Sequence, residues 1–236
     1  MPPFSAKSVR AWGLAALLLT ACNRSPQTPQ QTAPAPQPAP APAASTDPND
    51  SGRPKVVVLG DSLTAGYGLL EMQAFPALLQ EKLNVDGYQW EVVNAGLSGD
   101  TSAAGLQRVD WALSQGDVRI LILELGANDG LRGLPVAEMK KNLAAIIERS
   151  QKAGAQVLLI GVRMPPNYGE DYAKAFAAAF AELAAKHKLA LLPDLLDGFG
   201  EKLELFQADR IHPTETAQPA VLKNVWTKLA PLLGRK

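Results

Sequence analysis

The 236-residue sequence has one cysteine, Cys22, so it can form no disulfide within the chain. It has no excess of charge: 23 basic residues balance 23 acidic ones, and no basic stripe follows residue 54, which argues against nucleic acid as a partner. It has no apolar run of the roughly 20 residues that a membrane-spanning helix needs; the run at 11–19 holds about nine. Between residues 23 and 54 large apolar side chains all but vanish, and nine of the 19 prolines stand among Ala, Gln, Thr and Ser. So little apolar surface cannot offset the entropy of ordering such a segment.

What is present falls into three parts. In residues 1–21, Lys7 and Arg10 precede the apolar run, and Leu19-Thr20-Ala21-Cys22 resembles the lipobox of bacterial lipoproteins. This reads as a lipoprotein signal peptide, with an ordinary secretory signal as the alternative. Cleavage before Cys22 and its lipidation would leave an exported lipoprotein on a membrane, facing the periplasm or the cell exterior. Residues 22–54 then form a disordered tether, semi-stiff through its prolines. A Pro-rich ligand for a partner module would be expected to carry flanking basic residues, which the Pro-Ala-Pro alternation lacks. Residues 55–236 have the length of one domain with a sizeable core.

That domain alternates strand-like and helix-like runs. Residues 55–59, 90–95, 118–125, 156–162 and 189–192 read as strands, and the apolar character of Val118, Ile120, Leu121, Ile122, Leu123 and Leu125 requires both faces to be covered, as in a parallel sheet. Helical spacing occupies 75–83, 101–113, 135–153, 172–187 and 216–233. Five strands with intervening helices imply an α/β domain of three layers, doubly wound.

Chemistry is sought at the carboxyl ends of such strands. The first strand runs into Gly60-Asp61-Ser62, which mounts Ser62 as a candidate nucleophile; a loop serine capping the next helix is the plainer reading. After the second strand, a glycine-rich turn through Gly99 leads into a helix and can aim N–H groups at an anion. After the third, Asn128 is a short amide able to donate to an oxyanion. Asp209 stands three residues before His212, close enough to accept from one ring nitrogen and leave the other free as a base. His187, between two lysines near a helix end, reads as solvated. Leu131, Leu134, Met164, Pro165, Pro166 and Tyr168 are candidates for an apolar acyl groove, or for loop packing.

Gly60-Asp61-Ser62-Leu63, Gly99 in Ser-Gly-Asp-Thr, Asn128 in Gly-Ala-Asn-Asp, and Asp209 with His212 resemble, in order, the four blocks of the GDSL or SGNH hydrolases. The runs VVNAGLSGDTS, LELGANDGLRG, RMPPNYG and DRIHP are similar to the bacterial arylesterase, thioesterase I and lysophospholipase group of that family. Ala127 departs from it, since many relatives have a second glycine there. No Gly-x-Ser-x-Gly surrounds Ser62, which sets the chain apart from the α/β-hydrolase elbow.

The resemblance implies a flavodoxin-like fold with five parallel strands, no metal or other cofactor, and ester and thioester hydrolysis. Ser62, Asp209 and His212 would be catalytic. The N–H groups of Ser62 and Gly99 and the Asn128 side chain would form the oxyanion hole. Medium-chain esters or lipids are the expected substrates, and a monomer the expected state. The rival readings are an esterase or transferase for acetyl groups on envelope glycans, and a binding lipoprotein that keeps the fold without catalysis.

Overall fold

The computed structural model describes residues 52–164 and 168–234. Cys22, Pro165 and Pro166 lie outside the described residues. Five strands, β1 (Lys55–Gly60), β2 (Glu91–Gly96), β3 (Val118–Glu124), β4 (Gln156–Ile160) and β5 (Ala190–Leu192), form one parallel sheet in the order β2-β1-β3-β4-β5. Helices α2 (Phe75–Val85), α3 (Ser102–Leu113), α5 (Val136–Lys152), α6 (Glu170–His187) and α7 (Gln218–Leu229) cover it.

The strand pattern sorts these helices onto two faces. Val57, Leu59, Leu121, Leu123, Val157 and Leu159 point one way and meet Val109 of α3, Leu143 and Ile146 of α5, and Phe176, Phe180 and Leu183 of α6. Their alternate neighbours Val56, Val58, Ile120, Ile122, Leu158 and Ile160 point the other way, onto Phe75, Leu79 and Leu83 of α2 and Val221, Val225 and Leu229 of α7. Every residue of β3 from Ile120 to Leu123 is fully buried, which is why those four positions read as an unbroken apolar run. From β1 the chain crosses to β2 at the edge and then returns over β1 to β3. The winding direction therefore reverses at the end of β1, where sheets of this kind leave a crevice.

Two one-turn helices carry no periodic signal and escape sequence analysis: α1 (Ser62–Ala65) and α4 (Ala127–Leu131), each immediately beyond a strand end. The expected helix at 216–233 is broken into a 3-10 turn at Glu215–Ala217, α7, and a second 3-10 turn at Ala230–Leu232. Pro231 has no N–H to continue the α-helical ladder. His187 is not solvated as expected: its side chain is 8% exposed, with Nε2 buried 3.9 Å from Glu148 Oε1.

Candidate active site

The crevice at the end of β1 is built from four turns. In the first, Asp61 caps α1, its Oδ1 accepting the N–H of Leu63 at 3.0 Å, and Gly66 ends the helix at φ 74°, a left-handed conformation that glycine adopts without strain. Ser62 is thus the first residue of a helix, where a backbone N–H has no carbonyl to reach within the helix.

The second turn belongs to the C-terminal hairpin. Phe206 bridges Pro213, Gln207 N–H donates to the carbonyl of His212 at 2.8 Å, and Thr214 N–H donates to that of Leu205 at 2.8 Å. At its tip Asp209 Oδ1 accepts the N–H groups of Ile211 and His212 at 2.9 and 3.0 Å. The other carboxylate oxygen lies 2.7 Å from His212 Nδ1, and His212 Nε2 lies 2.8 Å from Ser62 Oγ. The imidazole and the two backbone donors hold the Asp209 carboxyl down at about 2. Tyr67 lies against the His212 ring, centroids 4.5 Å apart. Its carbonyl is tied to the hairpin by Gln207 Nε2 at 2.7 Å.

The third turn follows β2. Leu97 N–H donates to the Gly60 carbonyl at 3.0 Å, which sets this loop beside the serine turn, and Gly99 lies at φ 86°. Thr101 then caps α3 through the N–H of Ala104.

The fourth turn is α4, entered through Gly126 at φ 120°. Asn128 Nδ2 donates at 3.0 Å both to Asp61 Oδ2 and to the Asp100 carbonyl. Both amide hydrogens are engaged in the resting site, so donation to an oxyanion requires one of these bonds to be shared or given up. Behind it Asp129 accepts Ser102 N–H at 2.7 Å and Ser102 Oγ–H at 2.6 Å, locking α4 to the start of α3.

The structure therefore brings Ser62, His212, Asp209, Gly99 and Asn128 to one crevice. Sequence reasoning passed over the residue that joins the turns. Arg108 of α3 donates to Asp100 Oδ2 and the Ala95 carbonyl at 2.5 Å each, and to the Gly60 carbonyl at 2.8 Å. Nothing in the local pattern distinguishes it from a solvated arginine. Glu124, also missed, did leave a signal: a carboxyl inside the apolar run of β3.

The groove candidates divide. Leu131 and Leu134 are 38% exposed, and Tyr168 Oη–H reaches the Leu131 carbonyl at 3.1 Å. Met164 is buried against Gly130 and Phe176, and lines a different hollow of about 580 Å³ with Arg163, Asp194 and the loop through Lys202. None of Leu131, Leu134 and Tyr168 lines that hollow. Met164 is thus core at one end and loop wall at the other, because the small residue Gly130 lets it slide under α4.

The chain is 46% identical over 178 residues to Esterase TesA of Pseudomonas aeruginosa, covering 75% of this chain and 89% of that one. It is 39% identical over 179 residues to Thioesterase 1/protease 1/lysophospholipase L1 of Escherichia coli K12, covering 76% and 85%. Among solved structures, the psychrotrophic esterase EstA from Pseudoalteromonas, inhibited by monoethylphosphonate, superposes with a TM-score of 0.73 at 35% identity, covering 77% of this chain and 99% of that one. The signature of the GDSL-like Lipase/Acylhydrolase family matches residues 58–218. With that match spanning most of the folded part, the chain belongs to the GDSL-like lipase/acylhydrolase family.

Proposed function

We propose that the chain hydrolyses carboxylic esters and thioesters of medium acyl chains through an acyl-enzyme on Ser62. The observation that carries this is the continuous contact from Ser62 Oγ through His212 to Asp209 at the crevice where the sheet's winding reverses. Ser62 Oγ attacks the carbonyl carbon while His212 Nε2 takes its proton, and Asp209 holds the tautomer and stabilises the imidazolium. The oxyanion is met by the N–H groups of Ser62 and Gly99 and by the Asn128 amide, which exchanges one of its resting bonds for the new one. His212 returns the proton to the leaving alcohol or thiol. It then takes one from the water that cleaves the acyl-enzyme.

Apolar substrates are favoured by what surrounds the crevice. Tyr67, Leu97, Leu131, Leu134 and Ile211, all within a few residues of the site, are large apolar side chains left exposed. An acetyl group on a glycan has no use for so much apolar surface. An aryl ester or a lysophospholipid-like ester does, in keeping with the esterase and lysophospholipase names of the relatives. The lipobox-like run at Cys22 supports export and anchoring through that residue, with 22–54 as tether.

A series of p-nitrophenyl esters from acetyl to palmitoyl tests the reading. A medium-chain optimum that vanishes in Ser62→Ala, with folding intact, is the expected result. Turnover of acetyl ester alone would move the assignment to glycan deacetylation, and full activity in Ser62→Ala would remove the nucleophile.

A further inference from the structure

Beneath the serine turn lies a carboxyl group that hydrolysis as described does not use. Glu124, the last residue of β3, is wholly buried. Its Oε2 accepts the hydroxyl of Thr64 at 2.8 Å and the backbone N–H of Asp61 at 3.3 Å, so it grips the turn on both sides of Ser62 and Leu63. Its Oε1 has no hydrogen-bond partner among the described residues. Asp61, 1% exposed, holds the Leu63 N–H and the Asn128 amide. Two carboxyl groups thus share one buried turn.

Two negative charges so placed would repel each other in a medium that solvates neither, so one group keeps a proton. Asp61 has two donors on its carboxylate and faces His212, which favours its charge, though burial still lifts it to about 6. Glu124 has two donors as well, but both fall on one oxygen and the other has none, and its complete burial together with the charge of Asp61 outweighs them and raises it well above the usual carboxylate range. The charged groups around the pair are Asp100 from the loop after β2, His212 from the C-terminal hairpin, and Arg108 of α3, which reaches the Gly60 carbonyl. None of these hydrogen-bonds to Glu124.

We propose that Glu124 works as the neutral acid, a positioning residue that fixes the turn carrying Ser62 and, through Asp61, the donor amide of Asn128. The proposal rests on the role of Ser62 given above. A rise in pH through the raised pKa would put a second negative charge beside Asp61 and loosen the turn, so Glu124 sets an alkaline limit on kcat. Glutamine has the shape of the neutral acid and cannot ionise.

The test compares the full chain with Glu124→Gln, Glu124→Ala and Thr64→Val, measuring kcat and KM on a short soluble ester from pH 5 to 9.5. Glu124→Gln should stay within about threefold of the parent kcat near neutrality and move the alkaline limb upward by about one pH unit or more. Glu124→Ala should lose roughly tenfold or more in kcat with KM little changed, and Thr64→Val should lose less. Glutamine impaired as badly as alanine, or an alkaline limb that does not move, would overturn the proposal. Should the alanine variant fail to fold, an unaltered kcat in Thr64→Val does the same. Labelling of the parent by a fluorophosphonate keeps the two readings apart, because a labelled serine stands even where the Glu124 proposal falls.

Discussion

Replacing Gly96 by alanine would test how closely the serine is positioned by packing rather than by hydrogen bonds. Gly96 closes β2 directly beneath α1, and a methyl group there would abut the backbone nitrogen of Ala65 and come within 2.8 Å of Ala65 Cα and the Thr64 carbonyl carbon. Carbon atoms in contact rest about 3.5–4.0 Å apart. The obstacle is backbone, which cannot rotate aside, so α1 must retreat by roughly 1 Å. Ser62 Oγ sits 2.8 Å from His212 Nε2, and that retreat spends the tolerance of a hydrogen bond. Misplacement on this scale costs about 10²-fold in rate, and overpacking costs roughly 1–3 kcal/mol in stability. Gly105→Ala is the control: in α3 the atoms nearest the new methyl belong to the side chains of Leu125 and Ile146, not to backbone, and can yield. We expect Gly96→Ala to lose kcat far beyond what its lower melting temperature explains, and Gly105→Ala to lose stability alone. Parental kcat in Gly96→Ala would refute the reasoning.

Asn128→Ala should lower kcat by about 10²–10³, roughly 3 kcal/mol, with little change in KM, and steady-state kinetics that match the parent would strike it from the oxyanion hole. Asp209→Asn should lower kcat by about 10³–10⁴ by disturbing the His212 tautomer. Because Asp209 is held at about 2, below its ordinary 3.8, the stability it contributes is fully present above 3.8 and lost as pH falls towards 2. Melting curves of parent and Asp209→Asn should therefore converge across that window, and a gap that widens on acidification would contradict the assignment.

The fold was legible because the central strands keep their apolar runs where both faces are covered: β3 could be read from Ile120 to Leu123 without any neighbour. The short helices were not, since α1 and α4 hold four and five residues that span barely a turn. Ser62, Gly99, Asn128, Asp209 and His212 could be named because each is of a chemistry-bearing type at a strand end or in a compact motif. Arg108 could not. Its three acceptors come from Gly60, Ala95 and Asp100, as far as 48 residues away, and only the folded sheet assembles them. Asn128 was anticipated as a donor, but its resting acceptors depend on Asp61 and Asp100 meeting across two loops.

The base and its acid travel together on the hairpin from Phe206 to Pro213, whereas the serine belongs to the sheet. Within the hairpin Asp209 and His212 are bound to each other by backbone and side chain alike, and the link from His212 to Ser62 joins residues 150 positions apart. A local opening of the tip of that arm, from Gln207 to His212, would break the Ser62 contact while sparing the Asp209–His212 pair and the core in which Phe206 is buried. Such a sub-global fluctuation would leave the domain folded but without its reactive geometry, until the contacts of His212 and Gln207 with the serine turn re-form.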